Sequence, residues 1–232
     1  MKYKAVIFDL FGTLVDIFSV REYESVLEKM AASLKAPYAD FHNVWMQTAK
    51  LRTTGTLPTL EKNIEYICRK LKLKVNASQI EAARRVRFNY VKRVLKPRKY
   101  AIETLSQLKA DGYKIGLISN CSTEPPIIWP NTPFAPFFDV TVFSSVACLL
   151  KPDPKIFQLA LKQLKVVPQQ CLYIGDGGDK ELAAAASVGM TPVLIRATHE
   201  DSSDALRPND EQIEDFTGLR ITSLKEVLNL VK

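Results

Sequence analysis

Two kinds of hydrophobic pattern divide the chain. Residues 3–8 (YKAVIF) form a short apolar run rich in strand formers, which ends at Asp9 and is followed by the turn signal Gly12-Thr13. This predicts a buried strand whose carboxyl end presents a carboxylate. From about Val20 to Leu95 apolar residues recur at helical spacing instead, as at Tyr23, Val26, Leu27 and Met30 and again at Ile64, Ile67, Cys68 and Leu71. This stretch reads as helical throughout, interrupted at Gly55, Thr56 and Pro58 and restarted at Asn76-Ala77-Ser78.

Beyond Pro97 helix and strand alternate. An amphipathic helix over residues 100–108 is closed by Asp111-Gly112, and a strand over 114–118 ends at Ser119-Asn120. A third strand is predicted over 140–143, a helix over 154–164, a fourth strand over 171–174 ending at Gly175-Asp176, and a fifth over 193–195. A short strand at 219–221 and a helix at 224–231 close the chain. Strands separated by helices imply βαβ units and a parallel sheet covered on both faces. The expected fold class is therefore α/β, a doubly wound, Rossmann-like parallel sheet with a helical insert. Residues 1–16 and 99–232 are expected to form the core domain, and residues 17–98 the inserted helical domain. Ligands of such sheets bind outside the carboxyl ends of the strands, where Asp9, Ser119 and Asp176 fall.

Two segments break the alternation. Residues 124–138 (EPPIIWPNTPFAPFF) carry five prolines, which excludes one continuous helix and predicts an ordered loop packed near the strand ends. Residues 198–215 are acidic and polar and read as a surface loop.

Composition narrows the class. The 232 residues, 47% hydrophobic, suffice for one core carrying a smaller insert. No apolar run approaches the roughly 18 residues that cross a bilayer, and the N-terminus shows no signal-peptide pattern, so a cytoplasmic protein without a membrane partner is expected. Cys68, Cys121, Cys148 and Cys171 are scattered without a CxxC pair, which suggests neither a disulfide framework nor a zinc site. With only His42 and His199 in the chain, Cys121 has no evident base, and it reads as a small half-buried thiol. The net charge of +7 is uneven: residues 17–98 hold 17 Lys and Arg against 7 Asp and Glu. Solvated helix faces explain this first and steering of a small anion second. Nucleic acid comes last, since no recognition motif accompanies the charge.

Four separated motifs carry the chemistry. FDLFGTLV (8–15), LISNCS (117–122), KPDPKIF (151–157) and IGDGGDKEL (174–182) resemble, in order, the four motifs of the haloacid dehalogenase superfamily. The helical insert after the first resembles the cap of that superfamily's first subclass. The resemblance implies a hydrolase, more a phosphatase than a dehalogenase, acting on a small anionic molecule. Asp9 would be a covalent nucleophile beside Mg2+, because a carboxylate attacking phosphorus needs both negative charges screened. Asp9, Asp176 and the Phe11 carbonyl are the implied direct ligands, with Glu181 as the supporting acid and Asp179 as runner-up. Ser119 and Asn120 would bind phosphate oxygens, Lys151 would hold nucleophile and phosphate together, and Thr13 would donate to the phosphate or orient the turn. Arg52, beside the turn at 53–56, is the residue of the insert expected to point into the cleft, against the alternative of an exposed helix-end arginine.

One position departs from the pattern. Phosphatases of the superfamily usually carry an aspartate two residues after the nucleophile, as general acid and base, where this chain has Phe11. Phenylalanine transfers no proton, and loss of positioned acid-base help forfeits about 10²–10⁴-fold in rate. Three outcomes follow: a phosphatase for good leaving groups, an enzyme for carbon–halogen or carbon–phosphorus bonds, or a non-catalytic binder. Dehalogenases of the superfamily work without magnesium and lack the glycine-aspartate pair kept here at Gly175-Asp176, which ranks the phosphatase first. A phosphonatase would need a Schiff-base lysine in the insert, and no matching motif is visible. The sequence leaves monomer and homodimer equally open.

Overall fold

The computed structural model describes residues 2–198, 200–201, 203–206 and 216–232. Strands β1 (Ala5–Phe8), β2 (Lys114–Ser119), β3 (Val140–Phe143), β4 (Cys171–Gly175), β5 (Thr191–Ile195) and β6 (Leu219–Ile221) form one sheet in the order β3-β2-β1-β4-β5-β6. Every pairing is parallel. All four residues of β1 are buried, as a central parallel strand requires, and they alternate in direction. Val6 and Phe8 enter one hydrophobic cluster, while Ala5 and Ile7 enter a second on the opposite face. The chain winds outward from β1 through β2 to β3, then returns to the other side of β1 at β4. A crevice opens at the carboxyl ends where the winding reverses.

Five helices lie between β1 and the rest of the sheet: α1 (Val20–Leu34), α2 (Tyr38–Gln47), α3 (Ala49–Thr53), α4 (Leu60–Lys70) and α5 (Ala77–Val94). Ser19 caps α1 by accepting from the Glu22 N–H, and Lys35 ends it in the left-handed conformation. Val26, Leu27, Met30, Ala31 and Leu34 form its buried face. Asn76 and Gln79 close a capping box at the start of α5, where the sequence predicts a restart. No helix among the described residues is long and apolar enough to cross a membrane.

The remaining helices are α6 (Ala101–Ala110), α7 (Glu124–Ile128), α8 (Ser144–Ala147), α9 (Pro154–Leu164), α10 (Glu181–Ser187) and α11 (Val227–Leu230). The proline-rich segment is more structured than the expected loop. It folds as α7 and two further short helical turns, Trp129–Asn131 and Ala135–Phe137, because Pro125, Pro126, Pro130 and Pro136 fall within the first three positions of these turns, where no N–H is needed, and Pro133 lies between turns. Trp129 stacks on Phe134 and meets Phe138 and Phe143 edge-on, which anchors the segment to the core. The helix expected at 224–231 begins as a tight turn, Leu224–Glu226, before α11. Strand β5 starts two residues earlier than predicted and includes Pro192, whose missing N–H is harmless because β6 pairs only from Val193 onward. Much of the loop expected at 198–215 lies outside the described residues.

Arg98 ties together the two chain segments that flank the five helices between β1 and β2. Its guanidinium donates to the Gly12 carbonyl at 2.7 Å and the Asp16 carboxylate at 3.0 Å, and it reaches Glu200 at 3.3 Å. Its own N–H donates to the Leu14 carbonyl at 2.8 Å. The side chain is buried, so losing it takes a donor from the carbonyl of buried Gly12 and leaves a void. Replacement of Arg98 by alanine is expected to lower unfolding free energy by about 2–3 kcal/mol, read from urea titrations. An unchanged midpoint would show that the clasp is incidental.

Candidate functional site

Asp9 follows β1 directly, and its N–H donates to the Ile174 carbonyl of β4 at 2.8 Å. The hydrogen-bond ladder thus delivers the carboxylate to the crevice in a fixed register. Lys151 approaches from the loop before α9, and its ammonium lies 2.5 Å from Asp9 Oδ1, 2.5 Å from Glu181 Oε2 and 3.3 Å from the Tyr173 hydroxyl. Asn120, after β2, holds that loop. It accepts from the Lys151 N–H at 2.9 Å and donates to the Lys151 carbonyl at 3.0 Å and to Asp179 Oδ2 at 2.8 Å. The Asn120 side chain is therefore engaged in positioning Lys151 and Asp179.

Glu181 opens α10 and is fully buried. It accepts from the Tyr173 hydroxyl at 2.7 Å and from the Gly177 N–H at 3.0 Å, so both of its oxygens have partners. Two glycines make this packing possible. A Cβ on Gly175 would fall 2.2 Å from Glu181 Oε1, and one on Gly12, whose φ is +79°, would fall 2.2 Å from Asp176 Oδ2. Asp176 follows β4, accepts from the Gly178 N–H at 3.0 Å and lies 3.6 Å from the Arg196 guanidinium.

Three carboxylates thus gather in little space. Asp9, Asp176 and Glu181 each offer an oxygen within 4.8 Å of the others, and all three are buried. Burial pushes the Asp9 carboxyl up to about 6, with Lys151 pulling it down and Asp176 adding to the rise. Burial likewise carries Glu181 to about 8, again against the pull of Lys151 and with help from Asp9 and Asp176. Although burial disfavours its charge, Lys151 is held above its ordinary value by Asp9 and Glu181. A crowded, all-oxygen cluster of carboxylates suits a hard divalent cation. The hydroxyl of Thr13 is buried and has no hydrogen-bond partner among the described residues, and that of Ser119 faces the Cys121 thiol.

A cavity of about 210 Å³ opens beside this cluster. Asp9, Phe11, Asn120, Lys151, Asp176, Asp179 and Glu181 form one side of its lining, and residues of the helical insert form the other. The Phe11 ring stacks on Phe18 at 4.4 Å, which gives the wall next to Asp9 an apolar surface. Arg52 lies on the wall contributed by the insert. It is buried, not an exposed helix-end arginine. Its Nη1 donates to the Trp45 carbonyl and to Thr48 Oγ1, and the guanidinium lies 4.0 Å from the Trp45 ring centroid. Burial lowers its pKa to about 10, which leaves it cationic at neutral pH.

Most of the residues expected at the site from sequence therefore meet at one cavity. Thr13 and Ser119 do not line it; they lie fully buried beneath the strand ends. Of the two acids weighed for metal support, Asp179 faces Asn120, while Glu181 joins Asp9 and Asp176. Sequence reasoning missed Tyr173, which orients Glu181 and Lys151, because a tyrosine in an apolar strand reads as core. It also missed Arg87, which lines the same cavity. The signal for Arg87 was present, since it stands at helical spacing from Ala83, Tyr90 and Val91 on the buried face of α5. Cys121 lines the cavity too, but burial pushes its thiol up to about 12, which makes it a poor nucleophile.

Known proteins resemble this chain in sequence and in fold. A glyceraldehyde 3-phosphate phosphatase of Methanocaldococcus jannaschii is 26% identical across 99% of this chain and 97% of its own length. The crystal structure of a 2-haloacid dehalogenase from Pseudomonas syringae superposes with a TM-score of 0.71 at 19% identity, covering 99% of this chain and 98% of that one. A Bacteroides thetaiotaomicron enzyme of the same family, crystallised as a complex with magnesium and inorganic phosphate, gives 0.62 at 19% identity over 87% of this chain and 98% of its own. The family model described as haloacid dehalogenase-like hydrolase matches residues 3–189, and the chain belongs to that family of hydrolases.

Proposed function

We propose that the protein is a magnesium-dependent phosphatase of a small phosphorylated metabolite, with Asp9 as its covalent nucleophile. The observation that carries this reading is the buried cluster of Asp9, Asp176 and Glu181, with the Lys151 ammonium between Asp9 and Glu181. Asp9, Asp176 and the backbone carbonyl of Phe11 would hold the ion. Once bound, it would screen the negative charges of carboxylate and phosphate from each other. Glu181 takes the supporting role, because its oxygens already hold Lys151, Tyr173 and the Gly177 N–H. The full-length archaeal relative, named as a phosphatase, supports phosphate-ester chemistry.

The residues divide the work as follows. An Asp9 carboxylate oxygen attacks phosphorus as the bond to the leaving oxygen breaks, and water then attacks the phosphorus of the aspartyl phosphate and frees the carboxylate. Lys151 fixes Asp9 and presents a point charge toward the transferring group. Thr13, buried beneath the strand ends, takes the role of orienting the turn that follows Asp9. Phe11 gives the leaving group no proton, so aryl esters, which leave as stable anions, turn over faster than alkyl esters, whose leaving oxygen must take its proton from water. A dehalogenase is the second reading, favoured by the apolar Phe11–Phe18 wall and ranked lower because the carboxylate cluster suits a cation that halide displacement does not need.

Phosphate release from aryl phosphate is expected to stop when a chelator removes divalent cations and to return with added magnesium. Chelator-insensitive halide release from haloacids would favour the second reading instead. Asp9→Asn is expected to lose about 10³-fold or more in kcat with the fold intact by circular dichroism. Phe11→Asp is expected to raise kcat on alkyl phosphates by up to about 10²-fold while changing aryl phosphate turnover little. No gain in a correctly folded Phe11→Asp variant would mean that the missing proton donor lies elsewhere.

A further inference from the structure

The wall of the cavity opposite Asp9 carries two buried guanidiniums and, among the described residues, one carboxylate paired with them. Arg52 from α3 and Arg87 from α5 both line the cavity, and each is only 5% exposed. Both guanidiniums lie near the same indole, at 4.0 Å and 5.6 Å from the Trp45 ring centroid. Arg87 forms an ion pair with the buried Glu124 of α7 through Nε at 3.0 Å. Its Nη1 is buried and has no hydrogen-bond partner among the described residues. Arg52 donates through Nη1 only to neutral groups, a carbonyl and a hydroxyl. Among the described residues these two buried cations therefore have one carboxylate close by, Glu124, and one guanidinium N–H group of Arg87 is unsatisfied. Leaving such a group buried and unpaired is unfavourable, and an entering anion relieves it.

We propose that Arg52 and Arg87 form a second anion subsite that receives a carboxylate at the far end of the substrate, a specificity determinant that rests on the phosphatase reading of Asp9. The substrate class is then a small phosphorylated hydroxy acid, with its phosphate at the strand ends and its carboxylate against the inserted helices. A carboxylate fits better than a second phosphate for two reasons. The planar guanidinium fork matches it, and the excess beyond Glu124 is a single positive charge. The volume of about 210 Å³ lies below the roughly 300–1,000 Å³ of sites for drug-sized ligands, which suits a compact acid.

The test compares kcat/KM for phosphoglycolate and phosphoglycerate with that for glycerol phosphate and a propanediol bisphosphate, in the wild-type protein and in Arg52→Gln. The acids are expected to lead, and Arg52→Gln is expected to lower their kcat/KM by about ten- to a hundredfold while glycerol phosphate changes less than about threefold. Because Arg87→Met would leave Glu124 buried without its partner, Arg87 is tested as the double variant Arg87→Met/Glu124→Gln, with the same selective loss expected. Calorimetric binding of glycerate, which carries no phosphate, reads the subsite independently of turnover and is expected to weaken in Arg52→Gln. Equal kcat/KM for acids and glycerol phosphate, a preference for the bisphosphate, or glycerate binding indifferent to Arg52 would overturn the subsite. Failure to release phosphate from any ester, with Arg52-dependent glycerate binding retained, would overturn the phosphatase reading alone.

Discussion

One ammonium group holds the site together. Lys151 stands between Asp9 and Glu181, at 2.5 Å from each, where all three side chains are almost wholly removed from water. Two carboxylates this close in a poorly solvating interior repel strongly, and both are tolerated because a cation sits between them. The residues concerned are far apart in the chain, with 142 positions separating Asp9 from Lys151 and another 30 reaching Glu181. Only the strand order brings them together, with β1 against β4 and the Lys151 loop clamped by Asn120 beyond β2. Tyr173 and the two glycines at 12 and 175 then provide the orientation and the room.

The parts of this arrangement that were legible in the sequence are those written in backbone pattern. The strand endings at Asp9, Ser119 and Asp176, the helix opening at Pro154 and the four short motifs all follow from periodicity and turn chemistry. What escaped was chemistry hidden inside apolar pattern. Arg87 was counted among the charges of a basic segment, yet it stands on the buried face of α5 and pairs with Glu124, 37 residues away in a segment whose prolines suggest only a loop. Arg52 was expected in the cleft because of a flexible turn. It reaches the cavity from within a short helix, held by Trp45 and Thr48. Periodicity assigns residues to faces, but it does not say which charged residue on a face has a buried partner.

The cavity is electrically two-sided. Around the strand ends carboxylates outnumber cations, whereas the wall built by the inserted helices carries the excess positive charge of Arg52 and Arg87. Between them lies an apolar strip begun by Phe11 and Phe18. A phenylalanine two residues after the proposed nucleophile therefore does more than omit a proton donor. It turns that part of the wall from polar to apolar and leaves binding at the two ends to orient the substrate.

The proposed chemistry depends on a bond between Asp9 and phosphorus. Borohydride reduces an aspartyl phosphate to homoserine, so quenching the enzyme with borohydride during turnover of an aryl phosphate in magnesium, followed by peptide mass spectrometry, reads that bond directly. Homoserine at position 9, absent without substrate, is the predicted result. Sustained phosphate release with position 9 unmodified, or with the label on another carboxylate, would contradict it.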